Sequence, residues 1–257
     1  MSSLQAFPRA DGSVGIRNIV LVVSTVTCAN TVVNHIAWKT GAVPLTHERG
    51  CVEGEQSFRR TMLALTTFAK HPNVSGVLIV GLGCEQIRTL DLQVAIGGGK
   101  PVHAILIQEE GGSRKAVARG IAMVEAMLPL AEQCRRQPVS VSHLKIGLEC
   151  GGSDSFSGSS ANPALGRAID LLIKNGGTAV LTEPTELLGV EGALARRARS
   201  PEVAQKLIDV MHWWMDYCKG RDSQINGKVT PGNNAGGITN VLEKALGSAK
   251  KGGSSPL

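Results

Sequence analysis

The apolar positions of this 257-residue chain gather into six short aliphatic runs, at 18–26, 42–46, 74–81, 102–107, 144–148 and 178–182. Each has the length of a strand and is rich in Val, Ile and Leu. Near-continuous apolar runs of this kind suit strands covered on both faces. Around them lie segments of helical length, at 29–39, 56–70, 113–137, 164–174, 186–198 and 201–219. The last carries Val203, Leu207, Val210 and Trp214 at helical spacing, with Ser200 and Pro201 in the order of a cap and a first turn. Strands alternating with helices predict β-α-β units, so the expected fold class is α/β with a parallel sheet.

Two stretches follow one order: strand, cysteine, small polar turn with an asparagine, helix, glycine, strand, then Leu-Thr and an ionisable residue. The first runs through Cys28, Asn30, Gly41 and Leu45-Thr46-His47, the second through Cys150, Asn162, Gly177 and Leu181-Thr182-Glu183. The reading is two related Rossmann-like lobes, 1–140 and 141–220. Residues 221–257 are rich in Gly, Asn, Ser and Lys, with one short helix at 238–246. They finish in SAKKGGSSPL, which offers no closing element and is expected to lead into a further C-terminal part.

Composition narrows the picture. Aromatic residues make up only 3% of the chain, so its core is built from aliphatic side chains. The six cysteines are too few and too scattered for a disulfide framework, and are read as reduced thiols. Net charge is +6, yet Arg196-Arg197-Ala198-Arg199 and Lys250-Lys251 come without aromatic interleaving or a recognition motif. They are read as solvated helix faces and a basic tail, and nucleic acid is not an expected partner. A positive field also attracts small acids. No apolar run reaches the roughly 18–20 residues of a membrane span. MSSLQAFPRADG lacks the order of a secretion signal, so the expected location is the cytoplasm.

Candidate chemistry collects where strands end. Three cysteines, Cys28, Cys51 and Cys84, follow three strands, and His47 and Glu85 stand beside them. In a parallel sheet such ends are neighbours, so three thiolates with His47 or Glu85 could approach one metal, or the thiols could be small packing residues. The turn Cys150-Gly151-Gly152-Ser153-Asp154 presents N–H groups, hydroxyls and a carboxylate, and Ser159 and Ser160 precede a helix start that suits a substrate carboxylate. Glu183 and Glu186 follow the last strand and could bind a cation or act as acid and base, or serve as helix-start acids. Asn233 lies in a second Gly/Asn-rich loop, 231–239. Gly97-Gly98-Gly99-Lys100 precedes a strand, the wrong side for a nucleotide phosphate.

Several of these segments together resemble the altronate/galactarate dehydratase family. They are Arg9-Ala10-Asp11-Gly12-Ser13-Val14-Gly15-Ile16-Arg17-Asn18, Gly81-Leu82-Gly83-Cys84-Glu85, Cys150-Gly151-Gly152-Ser153-Asp154 with Ala161-Asn162-Pro163, and Thr230-Pro231-Gly232-Asn233 with Glu243-Lys244. They occur in the family's order and run nearly end to end. The resemblance implies a hydro-lyase that removes water from a sugar acid, an aldonate or aldarate, to give a 2-keto-3-deoxy acid. It implies a divalent metal, with Fe²⁺ the usual requirement and Mn²⁺ or another ion in second place. On this resemblance Gly151, Gly152, Ser153, Asp154, Asn162 and Asn233 are expected to contact substrate. His47, Glu183 and Arg17 are the catalytic candidates, and Cys28, Cys51, Cys84 and Glu85 the metal candidates. Where the family often has a His-Thr-Tyr-Gly-Cys-like stretch, this chain has His47-Glu48-Arg49-Gly50-Cys51. Family members extend further at both ends, so a homo-oligomer or a separate subunit supplying the remaining domains is an expected partner. The alternatives are a non-catalytic carboxylate-binding or assembly fragment, and a lyase for a sulfonated hydroxy acid.

Overall fold

The structure is a computed structural model and describes residues 3–149, 151–220 and 229–257. Cys150, the first residue of the turn singled out above, and residues 221–228, where the third segment begins, lie outside the described residues. The chain divides into two compact units, one of residues 3–139 and one of residues 140–257.

The first unit opens with strands β1 (Ser3–Pro8) and β2 (Val14–Gly15), which pair antiparallel. There follow β3 (Ile19–Ser24), α1 (Asn30–Thr40), β4 (Val43–Leu45), α2 (Glu55–Lys70), β5 (Val74–Gly81), α3 (Thr89–Ile96), β6 (Val102–Leu106), α4 (Ser113–Gln133) and β7 (Gln137–Ser140). The main sheet is parallel in the order β4-β3-β5-β6. Alternate residues of β3 face opposite sides. Val20 and Val22 pack with Val33 and Ile36 of α1 and Val124 of α4, whereas Leu21 and Val23 pack with Leu65 of α2 and Leu92 of α3. Both faces are therefore covered, which is why β3 and β5 read as unbroken apolar runs. The chain turns back on itself between β3 and β5, the switch point beside which open parallel sheets form their crevices.

The second unit holds β8 (Lys145–Leu148), α5 (Asn162–Lys174), β9 (Thr178–Leu181), α6 (Glu191–Ala195), α7 (Pro201–Cys218), α8 (Pro231–Ala235) and α9 (Val241–Ala249). β8 and β9 are parallel, from Lys145 against Thr178 to Leu148 against Leu181. The anticipated β-α-β order is present, on two strands among the described residues. The helix expected over 186–198 is broken. A 3-10 turn at Pro184–Leu187 is followed by Gly189 at φ 93°, and α6 starts afresh. Among the described residues no helix is long and apolar enough to cross a membrane.

The basic tail is not a solvated one. Lys251 and Gly252 are buried. The Asp170 carboxylate of α5 accepts hydrogen bonds from the N–H and hydroxyl of both Ser254 and Ser255. Arg197 Nη2 donates to the carbonyls of Gly252 and Ser255, and Leu257 N–H to the Arg197 carbonyl. A Cβ at Gly166 would stand 2.2 Å from the Lys250 carbonyl, so only glycine lets α5 approach this segment.

Candidate functional site

The carboxyl edge of the main sheet brings together the loops after β3, β4 and β5. Thr27 N–H donates to Arg49 O at 2.8 Å, and Gln86 N–H to Gly50 O at 3.0 Å. Gly50, at φ 106°, stands where a Cβ would lie 2.3 Å from Thr25 O, so the close approach requires glycine. Glu85 is buried, and its carboxylate accepts from the Thr25 hydroxyl at 2.7 Å, Leu82 N–H at 3.1 Å and Gly83 N–H at 2.6 Å. Its oxygens thus tie the β5 loop to the end of β3.

Cys28 and Cys84 both lie close enough to Cys51 to act on its thiol. Partial desolvation pushes the Cys51 thiol up, and Cys28, Cys84 and Glu85 push it in the same direction. All three are free thiols on exposed residues. Among the described residues no group of three or more His, Cys, Asp or Glu side chains is arranged as a formed metal site. His47 has both ring nitrogens engaged: Nδ1 faces Arg49 N–H at 3.2 Å and Nε2 faces Ser24 O at 3.0 Å. A nitrogen that accepts from an amide leaves the proton on the other, so the ring is the Nε2–H tautomer donating to Ser24.

Arg17 is exposed and precedes β3, at the edge opposite the cysteines. Its family segment has a structural explanation. Asp11 accepts from the Ser13 N–H and hydroxyl, Arg9 Nε donates to Pro72 O, and Arg9 Nη1 donates to Asn18 Oδ1. Asn73 Oδ1 accepts from the N–H groups of Ile16 and Arg17. A cavity of about 820 Å³ lies here, bordered by Arg9, Asp11 and Lys100. Burial, with Arg9 nearby, brings the Lys100 ammonium down to about 8. Its Nζ donates to the carbonyls of Ala69 and His71.

In the second unit the turn after β8 borders a cleft of about 410 Å³, within the usual range for small-molecule sites. Gly151, Gly152, Ser153, Asp154 and Asn162 line it from one side, and Glu243, Lys244, Ser248, Lys250 and Lys251 from the other. Asp154 takes the Ser157 N–H at 2.7 Å and hydroxyl at 2.9 Å, and these bonds, the hydroxyl first, hold its carboxyl below the ordinary aspartate range. Asn162 Nδ2 donates to Gly247 O and Asn233 Nδ2 to Ser153 O, both at 2.9 Å, so the two asparagines brace the walls. Ser155 N–H also meets Gly236 O, which joins the two Gly-rich loops. Asn233 and Glu183 are not among the lining residues. Glu183 lies two residues after β9, at φ 55°, and is the one non-glycine residue at positive φ among those described. Glu186 pairs with Lys244 at 3.1 Å, each side chain 11% exposed.

Sequence reasoning missed the lysines and Ser248. Lys251 is only 3% exposed and borders the cleft, and the Ser248 hydroxyl is buried with no hydrogen-bond partner. The signal available was Glu243-Lys244, which the family segments already contained.

A doubly wound unit, joined in sequence to a β-α-β unit whose Gly/Ser turn borders a cleft with three lysines, defines an α/β protein. Residues 6–132 match the family described as D-galactarate dehydratase/altronate hydrolase, second domain, and residues 141–257 match D-galactarate/altronate dehydratase, C-terminal. The chain belongs to the galactarate/altronate dehydratase family. It is 35% identical to an altronate dehydratase of Escherichia coli over 98% of this chain and 53% of that one. Against the galactarate dehydratase (L-threo-forming) of the same organism it is 31% identical, covering 99% and 53%. It is also 31% identical to the (2R)-sulfolactate sulfo-lyase subunit beta of Chromohalobacter salexigens, over 95% of this chain and 63% of that subunit. The chain spans about half the length of the dehydratases it matches.

Proposed function

We propose that the chain is the part of a metal-assisted hydro-lyase that receives an aldonate or aldarate, and that dehydration yields a 2-keto-3-deoxy acid. The observation that carries this reading is the cleft of the second unit. Gly151, Gly152, Ser153, Ser248 and three lysines line one small cavity. Sugar acids are dense in hydroxyls and carry one or two carboxylates, which is the complement of that lining.

The reaction removes the proton α to the carboxylate and expels the β-hydroxyl as water, leaving an enol that becomes the ketone. Cationic and N–H groups near the carboxylate stabilise the enediolate that develops. Glu183, held at an unusual backbone angle at a strand end, is the proton-transfer candidate of this unit, because such strain concentrates at functional positions. In the first unit Cys28, Cys51 and Cys84 would be the thiol donors to a divalent iron, since Glu85 is already engaged by Thr25, Leu82 and Gly83. Such an ion would supply Lewis acidity. The sulfo-lyase relative is a named subunit, which supports a separate chain as the partner of this one.

The test is an anaerobic assay of the chain with Fe²⁺ and a reductant against altronate, galactarate and a sulfonated hydroxy acid, following 2-keto acid and bound iron together. The expected result is 2-keto acid from a sugar acid, with iron content falling by at least half in Cys51→Ala. Products from the sulfonate alone would replace this reading with the sulfo-lyase one. Absence of both turnover and sugar-acid binding would overturn it.

A further inference from the structure

Every cation of the cleft but one has an occupation among the described residues. Lys244 pairs with Glu186, and Lys250 Nζ donates to Gly158 O at 3.1 Å. The acids of the cleft are likewise committed, Asp154 to Ser157 and Glu243 to the N–H and hydroxyl of Thr239. Lys251 is 97% buried by its 3% exposure, and no ion pair or hydrogen bond of its ammonium is found among the described residues. One turn earlier the Ser248 hydroxyl is buried and also lacks a partner. An ammonium without a counter-charge on a largely buried side chain is costly, and so is a buried hydroxyl without a partner.

The segment that carries this pair is fixed in place. Asp170 and Arg197 hold the backbone from Gly252 to Ser255, and Asn162 holds Gly247. Residues 248 and 251 are three apart, from the end of α9 into the 3-10 turn Lys250–Gly252, so both side chains rise on one side. The result is a fixed ammonium and a hydroxyl with no acceptor supplied by the protein.

We propose that Lys251 and Ser248 form the anchor for the carboxylate of the bound acid, Lys251 supplying the counter-charge and Ser248 a hydrogen bond. This assignment deepens the cleft reading above and rests on it. The pair recognises a trigonal or tetrahedral oxyanion, so a carboxylate and a sulfonate are both within its reach, whereas an uncharged polyol is not.

Thermal melting of the full chain with galactarate, with 2-hydroxy-3-sulfopropionate and with galactitol tests it. Galactarate is expected to raise the melting temperature and galactitol to leave it unchanged. Lys251→Met is expected to weaken galactarate at least tenfold and Ser248→Ala about threefold, with Lys251→Arg retaining most of the affinity. Without ligand, Lys251→Met should melt no lower than wild type, because an unpaired buried charge has been removed. Galactarate bound equally well by wild type and Lys251→Met would overturn the anchor while leaving the sugar-acid reading intact. Stabilisation by the sulfonate alone, lost in Lys251→Met, would keep the anchor and overturn the sugar-acid reading. No stabilisation by either acid would overturn both. If Lys251→Met does not fold, Ser248→Ala and Lys251→Arg decide, and full affinity in Ser248→Ala with none in Lys251→Arg would count against the pair.

Discussion

The carboxyl edge of the first unit and the cleft of the second are both made of Gly-rich turns after parallel strands, yet they use polar groups in opposite ways. At the first, Glu85 is saturated by Thr25, Leu82 and Gly83, and His47 by Ser24 and Arg49. At the second, Lys251 and Ser248 are buried and unmatched. A buried polar group that is satisfied holds a fold together, and one left unsatisfied has a ligand to meet or a cost to carry. Two turns that look equally promising as sequence are told apart by whether their polar atoms are already in use.

Glu85→Ala strands three donors at the junction of two loops and is expected to lower stability by about 3 kcal/mol, since each unsatisfied buried group costs roughly 1–3 kcal/mol. Chemical denaturation of the variant gives the number. A change below about 0.5 kcal/mol would mean that the carboxylate is not the brace described here.

Asp170 does for the tail what Glu85 does for the β5 loop. Hydrogen bonds from Ser255, above all its hydroxyl, and from Ser254 hold its carboxyl far below the ordinary aspartate range. A depressed folded value means that the contribution is complete above the unfolded value, near 3.9, and is lost as pH falls towards the folded one. Asp170→Asn should therefore cost about 1–2 kcal/mol at pH 7, part of the gain being screened by solvent. The gap between variant and wild type should shrink below about pH 4. Melting curves between pH 3 and 7 check the sign, and a gap that widens with acid would refute it.

Much of the scaffold was legible. The aliphatic runs at 18–26, 74–81 and 102–107 became β3, β5 and β6 because strands covered on both faces have no polar side to interrupt the pattern. Helix α3 was not legible, because Leu90 and Val94 are exposed while Leu92 and Ile96 are buried, so the segment has no clean polar face. Strands β2 and β7 have only two and four residues, and β1, though six long, buries only Ala6, so none shows an apolar run. In the cleft, Gly151 to Asp154 and Asn162 were readable from turn chemistry. Lys251 was not. Its burial is set by Asp170 and Arg197, more than 50 residues distant in sequence, and a lysine followed by glycines and serines looks the same whether solvated or docked.

The most direct test of the central claim follows backbone amide and lysine Nζ resonances while galactarate is titrated into the ¹⁵N-labelled chain. The largest shifts are expected on Gly151 to Asp154, Ser248 and the Lys251 ammonium, with the Thr25, Gly83 and Glu85 amides unmoved. Saturable shifts at Thr25, Gly83 and Glu85 with none at Ser248 or Lys251 would contradict it.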